Sequence, residues 1–124
     1  LKQCKDAVLM LIGDGENRQD IEEQVKTLNM DLNVIFCGLV NHVNDYMQAM
    51  DVFVLPSRYE GLPIVGVEAQ AAGLPVITST NVSDELKITD AVTFLSLESG
   101  TEQWAQNILR YKNQARQDYS DQIV

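Results

Sequence analysis

Five short apolar runs, three of them closed by a glycine or a proline, constrain this sequence more than any other feature. Ala7-Val8-Leu9-Met10-Leu11-Ile12 ends at Gly13, and Val34-Ile35-Phe36-Cys37 ends at Gly38. Val52-Phe53-Val54-Leu55 stops at Pro56, and Val76-Ile77-Thr78 and Val92-Thr93-Phe94-Leu95 follow. All five read as short strands, and the first, a continuous apolar run, as one buried on both faces. Helical patterning fills the intervals. From about Asn17, Ile21, Val25 and Leu28 form one stripe at i, i+4 and i+7. Asn44 suits the cap of a short helix through Met50. Pro63 fits the first turn of a helix running to about Ala72, with Gly73 as its stop. A closing helix from Thr101 to about Tyr111 carries Trp104 and Ile108. Strands alternating with helices predict an α/β fold with a doubly wound parallel sheet.

The 124 residues suffice for one core of domain size. A formal net charge of −9 repels phosphate polymers, and no Lys/Arg cluster creates a local exception. Nucleic acid and anionic membrane surfaces are therefore excluded as partners of this segment. A small phosphorylated ligand held by backbone groups is still allowed. No apolar run is long enough to span a bilayer. The beginning, Leu1-Lys2-Gln3-Cys4, is not a signal peptide and not an initiator Met, so the chain reads as a piece of something longer. Cys4 and Cys37 read as two reduced thiols in a cytosolic protein.

Ligands of parallel α/β sheets sit outside the carboxyl ends of the strands. Here those positions are Gly13-Asp14-Gly15, Gly38-Leu39, Pro56 through Gly61, and Thr78-Ser79-Thr80. The richest of them continues as Glu60-Gly61-Leu62-Pro63-Ile64-Val65-Gly66-Val67-Glu68. Gly61 permits close backbone approach. The N–H groups of the first helical turn, with the helix dipole, suit a phosphate or diphosphate. The helix is apolar on nearly every side and is expected to be buried, with only Glu68 and Gln70 interrupting it. Glu68 lies five residues past Pro63, ~7.5 Å along the axis at ~1.5 Å per residue, within reach of the hydroxyls of a group bound at the helix start. Two blander readings compete: Glu60 as a solvated loop acid, and Glu68 as an exposed carboxylate or the partner of an Arg such as Arg58.

The wider pattern resolves into a family likeness. Pro56-Ser57, two residues, then Glu60-Gly61-Leu62-Pro63, with Glu68-Ala69-Gln70-Ala71-Ala72-Gly73-Leu74-Pro75-Val76-Ile77 following, closely resembles retaining nucleotide-sugar glycosyltransferases of family 4 (group 1), particularly those of bacterial capsular and exopolysaccharide synthesis. Leu11-Ile12-Gly13-Asp14-Gly15, Val34-Ile35-Phe36-Cys37-Gly38 and Ala49-Met50-Asp51-Val52-Phe53-Val54-Leu55 resemble further family segments, in family order over nearly the whole chain.

The resemblance implies a GT-B architecture, two Rossmann-like domains across a cleft, of which residues 1–124 match only the C-terminal, donor-binding one. It implies that Glu60 faces the donor sugar near the reaction centre and that Glu68 binds the ribose hydroxyls. It places Gly61, Leu62 and the neighbours of Pro63 at the sugar and diphosphate, with Ser57, Gly13 and Gly15 lining the donor site. Gly38, Leu39 and Val40 would meet the base through backbone groups. The implied substrate is a nucleotide-sugar donor, UDP-linked by preference, and no metal or other cofactor is expected. The implied partner is an N-terminal acceptor domain, through which peripheral membrane association becomes an option, with no nucleic acid. The implied location is the cytoplasm, at or near the inner face of the plasma membrane. The isolated segment is expected to be inactive in transfer.

Two departures stand out. The family's Arg and Lys that neutralise the diphosphate belong to a segment preceding this one, and Arg18 and Lys26 read instead as solvated charges on the first helix. The acceptor domain is absent as well. His42 reads as a solvent-facing loop residue, Trp104 as a core residue, and Ser79-Thr80-Asn81 as loop capping. A non-catalytic nucleotide-sugar sensor of the same fold is the competing reading. A response-regulator-like domain is disfavoured, because Pro56-Ser57-Arg58 stands where its phosphorylated Asp would be.

Overall fold

In the computed structural model the described residues are 6–13, 15–58 and 61–112. Every strand pairing between named strands is parallel, and helices connect the strands, which is the Rossmann-like α/β class expected. The strands are divided over two sheets, and the chain separates into two compact units, Leu1–His42 and Val43–Val124.

The first unit is a strand–helix–strand segment. Strand β1 (Leu9–Ile12) pairs with β2 (Val34–Gly38) on either side of helix α1 (Arg18–Thr27) in the sequence. Leu11 pairs with Phe36 but Ile12 pairs with Gly38, so Cys37 is the extra residue of a bulge. The N–H of Gly13 donates to the carbonyl of Gly38 at 2.8 Å, and Gly38 takes φ +68°, a left-handed backbone that favours glycine. Helix α1 ends in a Schellman turn built on Asn29 at φ 57°. There the N–H of Met30 reaches Val25 and that of Asn29 reaches Lys26, both at 3.0 Å. The expected stripe is only partly covered: Val25 is half-buried, whereas Ile21 and Leu28 are exposed. The expectation that the first strand is buried on both faces also fails, since Leu9 is 40% exposed. A two-stranded sheet has no central strand to enclose. Arg18 is not a simple solvated charge either. Its Nε donates to Glu22 at 3.0 Å and its guanidinium lies 5.6 Å from the centre of the Phe36 ring.

The second unit carries the larger core. Helix α2 (Val43–Met47) leads to β3 (Phe53–Leu55), α3 (Ile64–Ala71), β4 (Val76–Ser79), β5 (Val92–Leu95) and α4 (Thr101–Leu109). The sheet order is β3-β4-β5, so β4 is central, and all four of its residues are buried. Its central place in the sheet, rather than its apolar run alone, is what covers both faces. Met47, Ala69, Leu74, Val76 and Val92 form the core cluster, with Val43, Met50, Phe53, Ala72 and Phe94 packed on it. Each fully buried aliphatic side chain there contributes about 1.5–3 kcal/mol relative to exposure. Helix α2 begins at Val43, one residue before the expected cap Asn44. Pro63 is the N-cap of α3, in extended conformation, rather than a residue of its first turn.

Helix α3 stops as the sequence predicts. Gly73 takes φ +80°, its N–H reaches Gln70, and the N–H of Leu74 reaches Ala69, each at 3.0 Å. This Schellman turn buries Leu74 completely and aims the chain into β4. Trp104 of α4 is nearly buried and donates its indole N–H to the Ser96 carbonyl at 3.0 Å, in keeping with a core role.

Gly66 shows why α3 needs a glycine in its middle. A Cβ there would fall 2.7 Å from Cδ1 of the fully buried Leu86. Gly66→Ala gains up to about 1 kcal/mol of helix propensity, but overpacking against a buried Leu costs about 1–3 kcal/mol. We expect a net loss of about 1 kcal/mol, read as a lower urea midpoint at unchanged m-value.

Candidate functional site

The residues singled out in the sequence divide between the two units. In the first, the structure brings Gly13 and Gly38 together through their backbone bond. The Gly15 carbonyl accepts the N–H of Arg18 at 3.2 Å and so starts the turn into α1. Beyond Gly38, Leu39 is largely exposed and Val40 half-buried. A Cβ built on Gly38 would stand 3.6 Å from Nη1 of Arg18, so the guanidinium lies beside this glycine.

In the second unit the group gathers around the entry to α3. The hydroxyls of β4 fix the exit of β3. Thr78 Oγ1 donates to the Leu55 carbonyl at 3.1 Å, and Ser79 Oγ donates to the Ser57 carbonyl. Ser79 is thus a buried strut, not a loop cap. Arg58 is exposed. Glu60 lies outside the described residues. The chain re-enters at Gly61, whose carbonyl accepts the N–H of Ser83 at 3.2 Å. Pro63 is buried and offers no N–H.

The start of α3 is open. Ile64 is 71% exposed and Leu62 is 50% exposed. Pro63 gives α3 no side-chain cap. Among the described residues the N–H groups of Leu62, Ile64 and Val65 donate to no acceptor, while that of Gly66 turns back to the Pro63 carbonyl at 3.1 Å. Three unbonded amides at the positive end of a helix dipole form an anion-binding arrangement. Glu68 lies one turn after Ile64 on the same stripe and is half-buried. Its carboxylate makes no hydrogen bond or ion pair among the described residues, so the alternative pairing with Arg58 is not formed. The expectation that α3 is buried all round is corrected here. Ile64 and Ala71 are exposed, and only Gly66, Ala69 and Gln70 are buried. Leu62 and Ile64 leave an apolar edge exposed beside the amides.

Gln70 is the residue whose importance the sequence reading missed. It is completely buried, and its amide is bonded at both ends. Nε2 donates to the carbonyls of Gly66 at 3.1 Å and Leu86 at 2.7 Å. Oε1 accepts the N–H of Thr89 at 2.9 Å and its hydroxyl at 2.8 Å. The signal was present as a lone amide in an otherwise apolar helix, but its partners lie 16 and 19 residues away. Among the described residues no three His, Cys, Asp or Glu side chains converge as a metal site, and no helix is long and apolar enough to cross a membrane.

Parallel strand pairing with helices between the strands, and an open helix N-terminus after β3, form an arrangement of the Rossmann-like class. The chain belongs to the family described as Glycosyl transferases group 1, which matches residues 1–114. It is 43% identical over 103 residues to EpsF of Bacillus subtilis (strain 168), named as a glycosyltransferase, covering 82% of this chain and 27% of that protein. It is 40% identical over 75 residues to UDP-Gal:alpha-D-GlcNAc-diphosphoundecaprenol alpha-1,3-galactosyltransferase of Escherichia coli, covering 60% of this chain and 19% of the relative. The chain therefore spans about a quarter of these relatives or less. Among solved structures, WaaG, a glycosyltransferase involved in lipopolysaccharide biosynthesis, matches with a TM-score of 0.69 and 28% identity over 83% of this chain and 28% of its own. The galactosyltransferase WaaB shares the fold with a TM-score of 0.72 at 21% identity, over 92% of this chain and 34% of its own.

Proposed function

We propose that the chain is the C-terminal, donor-binding domain of a retaining glycosyltransferase that uses a UDP-sugar in bacterial polysaccharide assembly. The observation that carries this reading is the open start of α3: three unbonded amides beside an unpaired, half-buried Glu68. The name of the Escherichia coli relative, which specifies UDP-Gal as donor, supports the choice of UDP.

In this reading the amides of Leu62, Ile64 and Val65 receive the diphosphate, and Glu68 accepts hydrogen bonds from the ribose hydroxyls. Ser57, in the same unit, lines the donor. Glu60 orients the sugar and faces its developing positive charge. During transfer the sugar C1–O bond breaks and its electron pair passes to the departing diphosphate. Preorganised amides stabilise that charge as it forms. The acceptor hydroxyl bonds to C1 on the same face and gives its proton to the departing diphosphate oxygen. The acceptor site and the remaining cationic partners of the diphosphate belong to the rest of the whole protein, so the chain alone binds nucleotide without transferring sugar.

The test is an NMR titration of the chain with UDP, GDP and ADP, with and without EDTA. UDP is expected to shift the Leu62, Ile64 and Val65 amides most, at equal affinity in both buffers. The donor-binding assignment fails if no nucleotide perturbs those amides, and the assignment of UDP fails if GDP or ADP binds more tightly. Sugar transfer by the chain alone would overturn its restriction to binding.

A further inference from the structure

The turn that follows β4 is fastened to α3 from two sides. On one side Gln70 holds the Leu86 carbonyl and both donors of Thr89, and the Thr89 hydroxyl in turn accepts the N–H of Ala91 at 3.1 Å. On the other side the Ser83 N–H holds the Gly61 carbonyl. The peptide joining Gly61 to Leu62 is trans, as are all those described. In a trans peptide the carbonyl and the following N–H point in opposite directions. Fixing the Gly61 carbonyl on Ser83 therefore aims the Leu62 N–H away from that turn, where no protein acceptor among the described residues meets it.

We propose that Gln70 is a positioning residue for the donor diphosphate. It latches the turn from Ser83 to Thr89 against α3, and through the Ser83–Gly61 bond sets the direction of the Leu62 amide. This rests on the reading of the α3 N-terminus as the donor site. Gln70 never touches the ligand, and its effect passes entirely through backbone orientation. A backbone amide aimed in advance binds without reorganisation, whereas one that must be turned on binding loses affinity.

Ser83 offers a clean test, because its φ of −55° already suits proline. Ser83→Pro removes the N–H that holds Gly61. Both Ser83→Pro and Ser83→Ala remove the hydroxyl that accepts the Glu85 N–H. We expect Ser83→Pro to weaken UDP binding about tenfold, the loss of one aimed hydrogen bond, and Ser83→Ala to change it less than about twofold. Gln70→Glu keeps the side-chain volume and the acceptor toward Thr89 but replaces the donor to Leu86. It is expected to speed amide exchange at Ser83 about tenfold or more in the ligand-free chain, to move the Leu62 amide resonance, and to leave β4 exchange unchanged. If Ser83 exchanges freely in the wild type, or if Gln70→Glu alters neither amide, the latch is wrong. Wild-type UDP binding that Ser83→Pro leaves intact removes the positioning role. A wild type that binds no nucleotide overturns the donor-site reading and this role together, and the exchange rates then judge the latch alone.

Discussion

Glu68→Ala is expected to weaken UDP binding by about ten- to a hundredfold while leaving thermal stability nearly unchanged. A hydrogen bond to a charged group contributes about 1.5–3 kcal/mol, and each 1.4 kcal/mol is tenfold in affinity. The unfolding side of the expectation follows from the structure. The carboxylate is half-buried and bonded to nothing among the described residues, so its removal leaves no group stranded. The ribose assignment can be isolated with 2′-deoxy-UDP. Wild type should prefer UDP to the deoxy compound, and Glu68→Ala should lose that preference. Equal preference in both proteins would place the carboxylate elsewhere than on the ribose. A large drop in melting temperature would mean that Glu68 supports the fold rather than the ligand.

Leu74→Ala should be among the most damaging single changes to the second unit, costing about 2–5 kcal/mol of stability. Leu74 is fully buried, belongs to the main core cluster, and is the residue whose N–H closes the Schellman turn on Ala69. Truncation leaves a cavity against Met47, Val76 and Val92, and central β4 has no slack with which to fill it. Against a typical domain stability of 5–15 kcal/mol this is a large fraction. Urea unfolding followed by Trp104 fluorescence measures it, with a clear fall in midpoint expected. A midpoint within error of wild type would show that the core can collapse around the site.

What was legible in the sequence follows from how local the cause is. The five apolar runs, the stop at Gly73 and the buried face of Trp104 each depend on a few neighbouring residues, and the structure reproduces them. The start of α2 came one residue early, because Val43 joins the core cluster and tertiary packing outweighs the preference of Asn44 for a cap. The exposure of Ile64 was illegible for a different reason. An all-apolar helix implies burial only if something packs on every side, and here nothing among the described residues covers Ile64. Arg18 was misread because its partners are split between Glu22, four residues on, and the Phe36 ring of another strand. The Glu60–Glu68 motif pointed to α3, and the open start of that helix is what the structure adds. The Gln70 latch stayed hidden, because nothing in the neighbourhood of position 70 names Leu86 or Thr89.

The saturated amide of Gln70 also says how this chain can drift over generations. Oε1 takes both donors of Thr89, and Nε2 takes two carbonyls. Truncation at position 70 strands the N–H and hydroxyl of Thr89 and the Leu86 carbonyl in the interior, whereas a change at position 89 alone still leaves Oε1 the backbone N–H of that residue. Exchanging both for apolar side chains removes the hydroxyl with the amide but leaves the backbone groups of Leu86, Thr89 and Ala91 without these partners, so the second change does not repair the first. The constraint is therefore one-sided: position 70 is held to its amide by backbone groups that cannot mutate away, and position 89 is the freer of the two.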